Sequence, residues 1–348
     1  MIKVLFLPNW EVYYLEKDDL SIPTPNKIVK GKGYWFFKYL PEWKVDIIDN
    51  TSLFPLNLIE RNTKIQIFQQ IRALLKENKY DLIISHSYLS GFIFSVIRSL
   101  VNIKFPPHFI IDIGCLNGGV ENKLQINILK FAIKSVSGLI YHSKVNENFY
   151  SKYFYNIPRK YITFGIDPEF FRPLEYSPSQ DYILSIGYAK RDYITLLKSW
   201  EKINYPLKIV GTTALDVQSL KNVKLIPKVP INVLKELIHN ALFIVLPIVD
   251  VPYSVGQMTL LQCMAMEKTV IVTRVPGILD YVKDNVNGIF VKYRSYKDLI
   301  EKVEYLLSNP EEIRRIGINA RYSILENYTE EKMAKDIYRF VKETCGIN

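Results

Sequence analysis

Three cysteines in 348 residues leave little room for covalent cross-links. Cys115, Cys263 and Cys345 are odd in number, far apart and without a C-x-x-C pair, which argues against a disulfide framework and a zinc site alike. Cys263 falls in an apolar helical stretch and fits a small core residue. Long apolar runs are equally scarce. The longest, near Phe92 and Ala241, are broken by Arg98 and Asp250, short of the roughly 18 residues that a membrane span requires. The N-terminal MIKVLFLPNW meets Pro8 too early for a signal peptide and suits a first strand, so the expected location is the cytoplasm.

Concentrated charge is the third absence. The net charge is +10, but it is spread: residues 1–170 carry 21 basic against 15 acidic side chains, and residues 171–348 carry 24 against 20. No zinc-finger spacing, basic arm or RNP-like aromatic strand accompanies it, so nucleic acid is not an expected partner. The stretch NKIVKGKGYWFFKYLPEWK interleaves lysines with aromatics. It suits either peripheral contact with an anionic membrane, at the inner face, or buried aromatics with solvated lysines, and the second reading is preferred.

What is present is a repeated pattern. Short β-branched runs alternate with segments of helical spacing: KVLFL, KVDIID, YDLIIS, HFIIDI and GLIYHS first, then YILSIG, PLKIVG, NVKLIP, ALFIVLP, TVIVT and NGIFV. Nearly continuous apolar strands alternating with helices mean parallel sheets covered on both faces, here an α/β fold made twice. The Pro-rich, aperiodic DPEFFRPLEYSPSQD separates the two series. The expected domains are therefore 1–168 and 182–328, joined by a linker at 169–181 and followed by a C-terminal helix at 329–348.

Open parallel sheets bind ligands beyond the carboxyl ends of their strands. That rule selects Asn9, His86, Gly114, Gly187, Gly211, Pro247 and the loop leading to Gly256. In SIGYAKRDYITLLKSW a strand ends at Gly187, the pair Lys190 and Arg191 follows, and Asp192 is placed to cap a helix. The cations suit a diphosphate clamp, and pairing of Arg191 with a surface carboxylate suits the sequence equally. In VPYSVGQMTLLQCMAMEKTVIVTRVPG a helix opens near Gly256, with Gln257 and Met258 in its first turn. Its free N–H groups and dipole suit an anion, and Gln262 lies about two turns further on. Asp112 and Asn117 follow another strand; acceptor contact and a turn built on Gly114, Gly118 and Gly119 both explain them. His108, His142 and His239 are expected to be structural.

The motifs GIDPEFFRP, YILSIG with RDYITLL, LKIVG, the whole stretch from PYSVGQ to NGIFV, and the tail NPEEIRRIGINARYSILENYTEEKMAKDIYRF together resemble the family 4 retaining glycosyltransferases, of the glycosyl transferases group 1, with the GT-B fold. The likeness runs in register from about Gly165 to the C-terminus. In the first half, YDLIISHSYLSGFIF is similar to the family's strand-then-histidine loop, and GKGYWFFKYL, with Gly33 and Tyr34, to its glycine-rich loop. The resemblance implies two Rossmann-like domains facing across a cleft, with the last helix crossing back to the first. It also implies transfer of a sugar from a UDP- or GDP-sugar to a glycan, lipid-linked or protein acceptor, with retention at the anomeric carbon and with neither metal nor cofactor. On the matching positions, Arg191 and Lys190 would hold the diphosphate, the base would stack near Lys228 and Val229, and His86 would approach the donor sugar. One departure stands out. The family's two glutamates, spaced E-x7-E, are Ser254 and Gln262 here. A non-catalytic nucleotide-sugar-binding subunit is therefore a competing reading, and a sugar epimerase a weaker one, since its relatives use acids that this site lacks.

Overall fold

The computed structural model describes residues 1–15, 28–30, 33–63, 65–101, 105–114, 116, 123–187 and 189–346. Contacts divide the chain into two units, one running up to Thr163 and resuming at Met333, the other from Phe164 to Lys332.

In the first unit, β1 (Ile2–Leu7) is followed by three short strands, β2 (Tyr13–Leu15), β3 (Ile28–Lys30) and β4 (Gly33–Tyr34), which form a small sheet of their own. The main sheet adds β5 (Trp43–Ile47), β6 (Leu82–His86), β7 (His108–Asp112), β8 (Gly138–Tyr141) and β9 (Arg159–Tyr161). Its order is β5-β1-β6-β7-β8-β9, and every pairing is parallel. Residues Val4 to Leu7 and Leu82 to Ile84 are buried, as a sheet covered on both faces requires. The C-terminal helix Glu330–Cys345 joins this unit from Met333 onward, where Tyr338 packs on Trp43 and Phe340 edge-on to Phe109.

The second unit holds β10 (Ile183–Ile186), β11 (Leu207–Val210), β12 (Val223–Ile226), β13 (Ile244–Leu246), β14 (Val270–Thr273) and β15 (Ile289–Val291). Their order, β12-β11-β10-β13-β14-β15, is again all parallel. It is the 3-2-1-4-5-6 order of dinucleotide-binding folds. Alternate residues feed two cores: Leu184, Ile244, Leu246, Val270 and Val272 enter one, while Ile183, Val245 and Ile271 enter the other. The expected linker, residues 169–181, lies within this unit and gives Phe171 to its core. The division falls at 163/164 because Phe164 N–H donates to the Tyr281 hydroxyl and Ile166 bridges to Thr329.

Candidate functional site

Strand order reverses between β10 and β13, so the carboxyl ends of these two strands form the switch point where such sheets take ligands. The loops that leave them are stitched together. Asp192 N–H donates to Pro247 O (2.9 Å), Val249 N–H to Lys190 O (3.2 Å), and Arg191 bridges to Ile248. Asp192 caps the helix Tyr193–Trp200 by accepting from Thr195 N–H.

Arg191 is pinned rather than loose. Its Nε donates to Ile186 O (2.9 Å), one terminal nitrogen to Ala189 O (3.2 Å) and the other to Thr259 Oγ1 (3.3 Å). Thr259 stands in the first turn of the helix Gln257–Ala265, so the guanidinium reaches the positive end of that helix. The floor under it is Gly187, with φ +135°; a Cβ there would lie 2.5 Å from Arg191 Nε. Gly256, the N-cap, is also left-handed (φ +84°), and a Cβ on it would lie 2.5 Å from Ile248 Cδ1. Both glycines thus keep backbone where a side chain would intrude. Lys190 is exposed, and its φ of +55° is unusual for a residue with a Cβ.

The remaining sequence-selected residues of this unit differ in availability. Gln257 is buried and its Nε2 donates to Gly277 O (2.9 Å). Gln262 is buried inside the helix, Met258 is exposed, and Ser254 is half-buried with its Oγ shielded and, among the described residues, without a partner. Lys228 is exposed, whereas Val229 packs on the core.

In the first unit the order reverses between β1 and β6, which brings Asn9 and His86 together. His86 Nδ1 lies 3.1 Å from Asn9 Oδ1, so Nδ1 carries the proton and Nε2 keeps its lone pair. Trp10 (4.5 Å between centroids) and Trp35 (5.4 Å) pack against the ring in edge-to-face pairs. Burial, with the neighbouring His142, drives the His86 pKa down to about 3. His142 follows β8, donates from Nδ1 to Ile162 O (2.7 Å), and is itself lowered by burial to about 4. Two residues at this edge are left-handed without being glycine: Ser87 (φ +76°) and Trp35 (φ +42°). Backbone strain of this kind gathers at functional sites.

Other first-unit candidates are committed to the fold. Asp112 is fully buried and accepts from Gly114 N–H, Leu116 N–H and the Tyr150 hydroxyl. Tyr34, next to Gly33 in β4, is buried, and its hydroxyl accepts from Trp10 Nε1 (3.1 Å). Asn117, with Gly118 and Gly119, lies outside the described residues, as do Cys115 and Tyr188. Trp35, Phe36 and Phe37 are buried while Lys38 is exposed, the arrangement of a core aromatic cluster. Among the described residues no three acidic, histidine or cysteine side chains gather as metal ligands, and no helix is long and apolar enough to cross a membrane.

Sequence reasoning selected Asn9 and His86 separately but missed the cage around the ring. Trp10 directly follows Asn9, while Trp35 and His142 come from distant segments that only the fold brings near the ring.

Two Rossmann-like units, each built on a six-stranded parallel sheet, define the class: this is a GT-B architecture. Sucrose-phosphate synthase from Thermosynechococcus elongatus superposes with a TM-score of 0.74 at 15% identity, over 99% of this chain and 100% of that one. Anabaena HepE in complex with UDP-glucose does so with a TM-score of 0.68 at 14% identity, over 99% and 100%. Within the second unit, residues 169–323 match the sequence model of the family Glycosyl transferases group 1. An uncharacterized glycosyltransferase of Methanocaldococcus jannaschii is 29% identical over 116 residues, which is 32% of this chain and 29% of that protein. The chain's match thus spans less than a third of that relative's length.

Proposed function

We propose that the protein is a glycosyltransferase that moves a sugar from a nucleoside diphosphate sugar to an acceptor, with retention at the anomeric carbon. The observation that carries this reading is the convergence of Arg191 on the first turn of Gln257–Ala265, at the switch point of the unit that matches the family. A fixed guanidinium and a helix N-terminus together suit a diphosphate. Held in place before reaction, they stabilise the diphosphate as it departs with the bonding electrons, which is the main demand on a transfer that uses no enzyme nucleophile. Lys190 adds a second, exposed cation, and Lys228 marks the side for the base. Since HepE was crystallised with UDP-glucose, a UDP-sugar is the first donor to test, with GDP-sugars next.

On the acceptor side, His86 serves as a neutral imidazole whose Nε2 accepts a hydrogen bond from a sugar hydroxyl. The departing phosphate oxygen, rather than a protein carboxylate, takes the acceptor proton. Glycan, lipid-linked and protein acceptors all fit this chemistry. A second reading, a nucleotide-sugar-binding subunit without turnover, is favoured by one observation: Ser254 stands where the family has an acid, with its Oγ shielded and unpartnered among the described residues.

The test is a thermal-shift panel of UDP, GDP, ADP and their sugar conjugates on wild type and Arg191→Ala. A ligand at a hundredfold excess over Kd stabilises by about 2.7 kcal/mol. A rise with one nucleotide family, lost in the variant, supports the donor site. Turnover with any acceptor then separates the transferase from the binding subunit, and no shift from any nucleotide sinks both.

A further inference from the structure

A cavity in the Phe164–Lys332 unit lies at the edge of its sheet opposite the loops of Arg191. Its volume is about 500 Å3, and its wall includes Leu242, just before β13, and Lys268, just before β14. These are the amino ends of the strands, away from the loops that hold Arg191. Lys268 is only 7% exposed, and its ammonium donates to Ala241 O at 2.8 Å. Among the described residues no carboxylate lies within ion-pair distance of Lys268, and none pairs with Arg314, an exposed cation on the same wall. One acid, Glu267, lines the cavity against these two cations. His239 adds no charge of its own: Nε2 donates to Tyr176 O (2.7 Å) and Nδ1 accepts from Leu174 N–H (3.3 Å), which fixes the neutral ring. Tyr176 lies edge-on to that ring at 4.7 Å and, with Leu174, makes an apolar face.

A buried ammonium held by a single neutral acceptor is poorly compensated. Burial accordingly lowers the Lys268 pKa to about 8. An anion entering the cavity would meet Lys268 and Arg314 together, while an apolar body would lie against Leu174 and Tyr176. We propose that this cavity binds a small organic anion, a phosphate or carboxylate on an aromatic or aliphatic body, at a site separate from the candidate donor site. The proposal does not depend on the glycosyltransferase reading.

Isothermal titration of the full chain with phenyl phosphate, benzoate and inorganic phosphate tests it. Phenyl phosphate or benzoate is expected to bind more tightly than inorganic phosphate. Arg314→Ala should weaken that binding about tenfold, the size of one charge-assisted hydrogen bond. Because Arg314 is exposed, its removal is not expected to disturb folding, whereas Lys268→Met also removes the bond to Ala241 and serves only as a supporting variant. Arg191→Ala should leave the binding unchanged. Binding lost in Arg191→Ala but kept in Arg314→Ala would put the anion at the other edge and overturn the proposal. So would the absence of saturation by either organic anion up to about 5 mM.

Discussion

The two units share a sheet of six parallel strands but put opposite chemistry at the point where strand order reverses. In the second unit that point holds a pinned guanidinium and a helix N-terminus, both of which favour negative charge, with two left-handed glycines that keep the backbone free of side chains. In the first it holds a neutral imidazole between two tryptophans, with its partner amide from Asn9. Under the proposed function, one architecture would supply both an anion site and a site for neutral hydroxyls. What distinguishes them is the small set of residues that the loops beyond β1, β6, β10 and β13, with Trp35 after β4, bring to those points.

Removing the cation should break the contrast most severely. Arg191→Ala is expected to lower sugar transfer by about 10²–10³-fold, the range for loss of one preorganised electrostatic donor, as measured by turnover of the donor identified by thermal shift. Arg191→Lys should recover only part of it, because the forked contacts to Ile186, Ala189 and Thr259 need a guanidinium. Unchanged turnover in the alanine variant would end the electrophilic role.

Next comes the floor beneath it. Gly187→Ala should cost about 1–3 kcal/mol in urea unfolding, because a Cβ must adopt a left-handed backbone and push the guanidinium aside. The same variant should lose nucleotide-induced stabilisation. A variant with normal nucleotide binding would mean that the guanidinium's position does not matter.

A third test addresses the neutral side. His86 and His142 stay unprotonated in the folded protein down to about pH 3 and about 4. An unfolded histidine takes its proton near pH 6.5, so between these values the unfolded chain binds more protons. With respect to these two groups, stability is therefore full above about pH 6.5 and falls with acidification, by about 1.4 kcal/mol per pH unit for each histidine. Comparing urea midpoints at pH 7.5 and 5.5, His86→Gln should narrow the gap by up to about 1.4 kcal/mol. An unaltered gap would show that the ring is not held neutral by burial.

The smallest expected effect sharpens the anion site. Gln262→Glu should tighten nucleotide-sugar binding about fivefold, the difference between a neutral and a charge-assisted hydrogen bond to a hydroxyl. Weaker binding would mean that Gln262 does not face the ligand.

Much of the second unit was legible in the sequence, because its signals are local. Each strand is a contiguous apolar run, and Gly187, Arg191 and Asp192 lie within six residues of one another. Gly256 and the helix it opens are equally contiguous. The first unit's site was harder to read, since its parts come from separate segments. Asn9 and His86 are 77 residues apart and meet only because β1 and β6 are neighbours. Trp35 looked like one of several aromatics in a basic stretch, and nothing in that stretch announced a left-handed backbone beside a histidine. His142 was expected to be structural; its proximity to His86 follows from sheet order, which periodicity does not reveal. Asp112 shows the converse: a polar residue in the right place whose carboxylate is occupied by its own loop and by Tyr150.

The placement of the four tryptophans gives the protein a built-in optical readout. Trp10 and Trp35 border His86, Trp43 packs on Tyr338, and Trp200 is buried in the second unit with its indole N–H donating to Tyr205 O. Emission from the first pair would respond to any molecule that binds beside the imidazole, while Trp200 would report on the integrity of the second unit. Replacing Trp10 and Trp35 one at a time by phenylalanine would assign the signals and let molecules that enter beside His86, the proposed acceptor side, be found by fluorescence without a label.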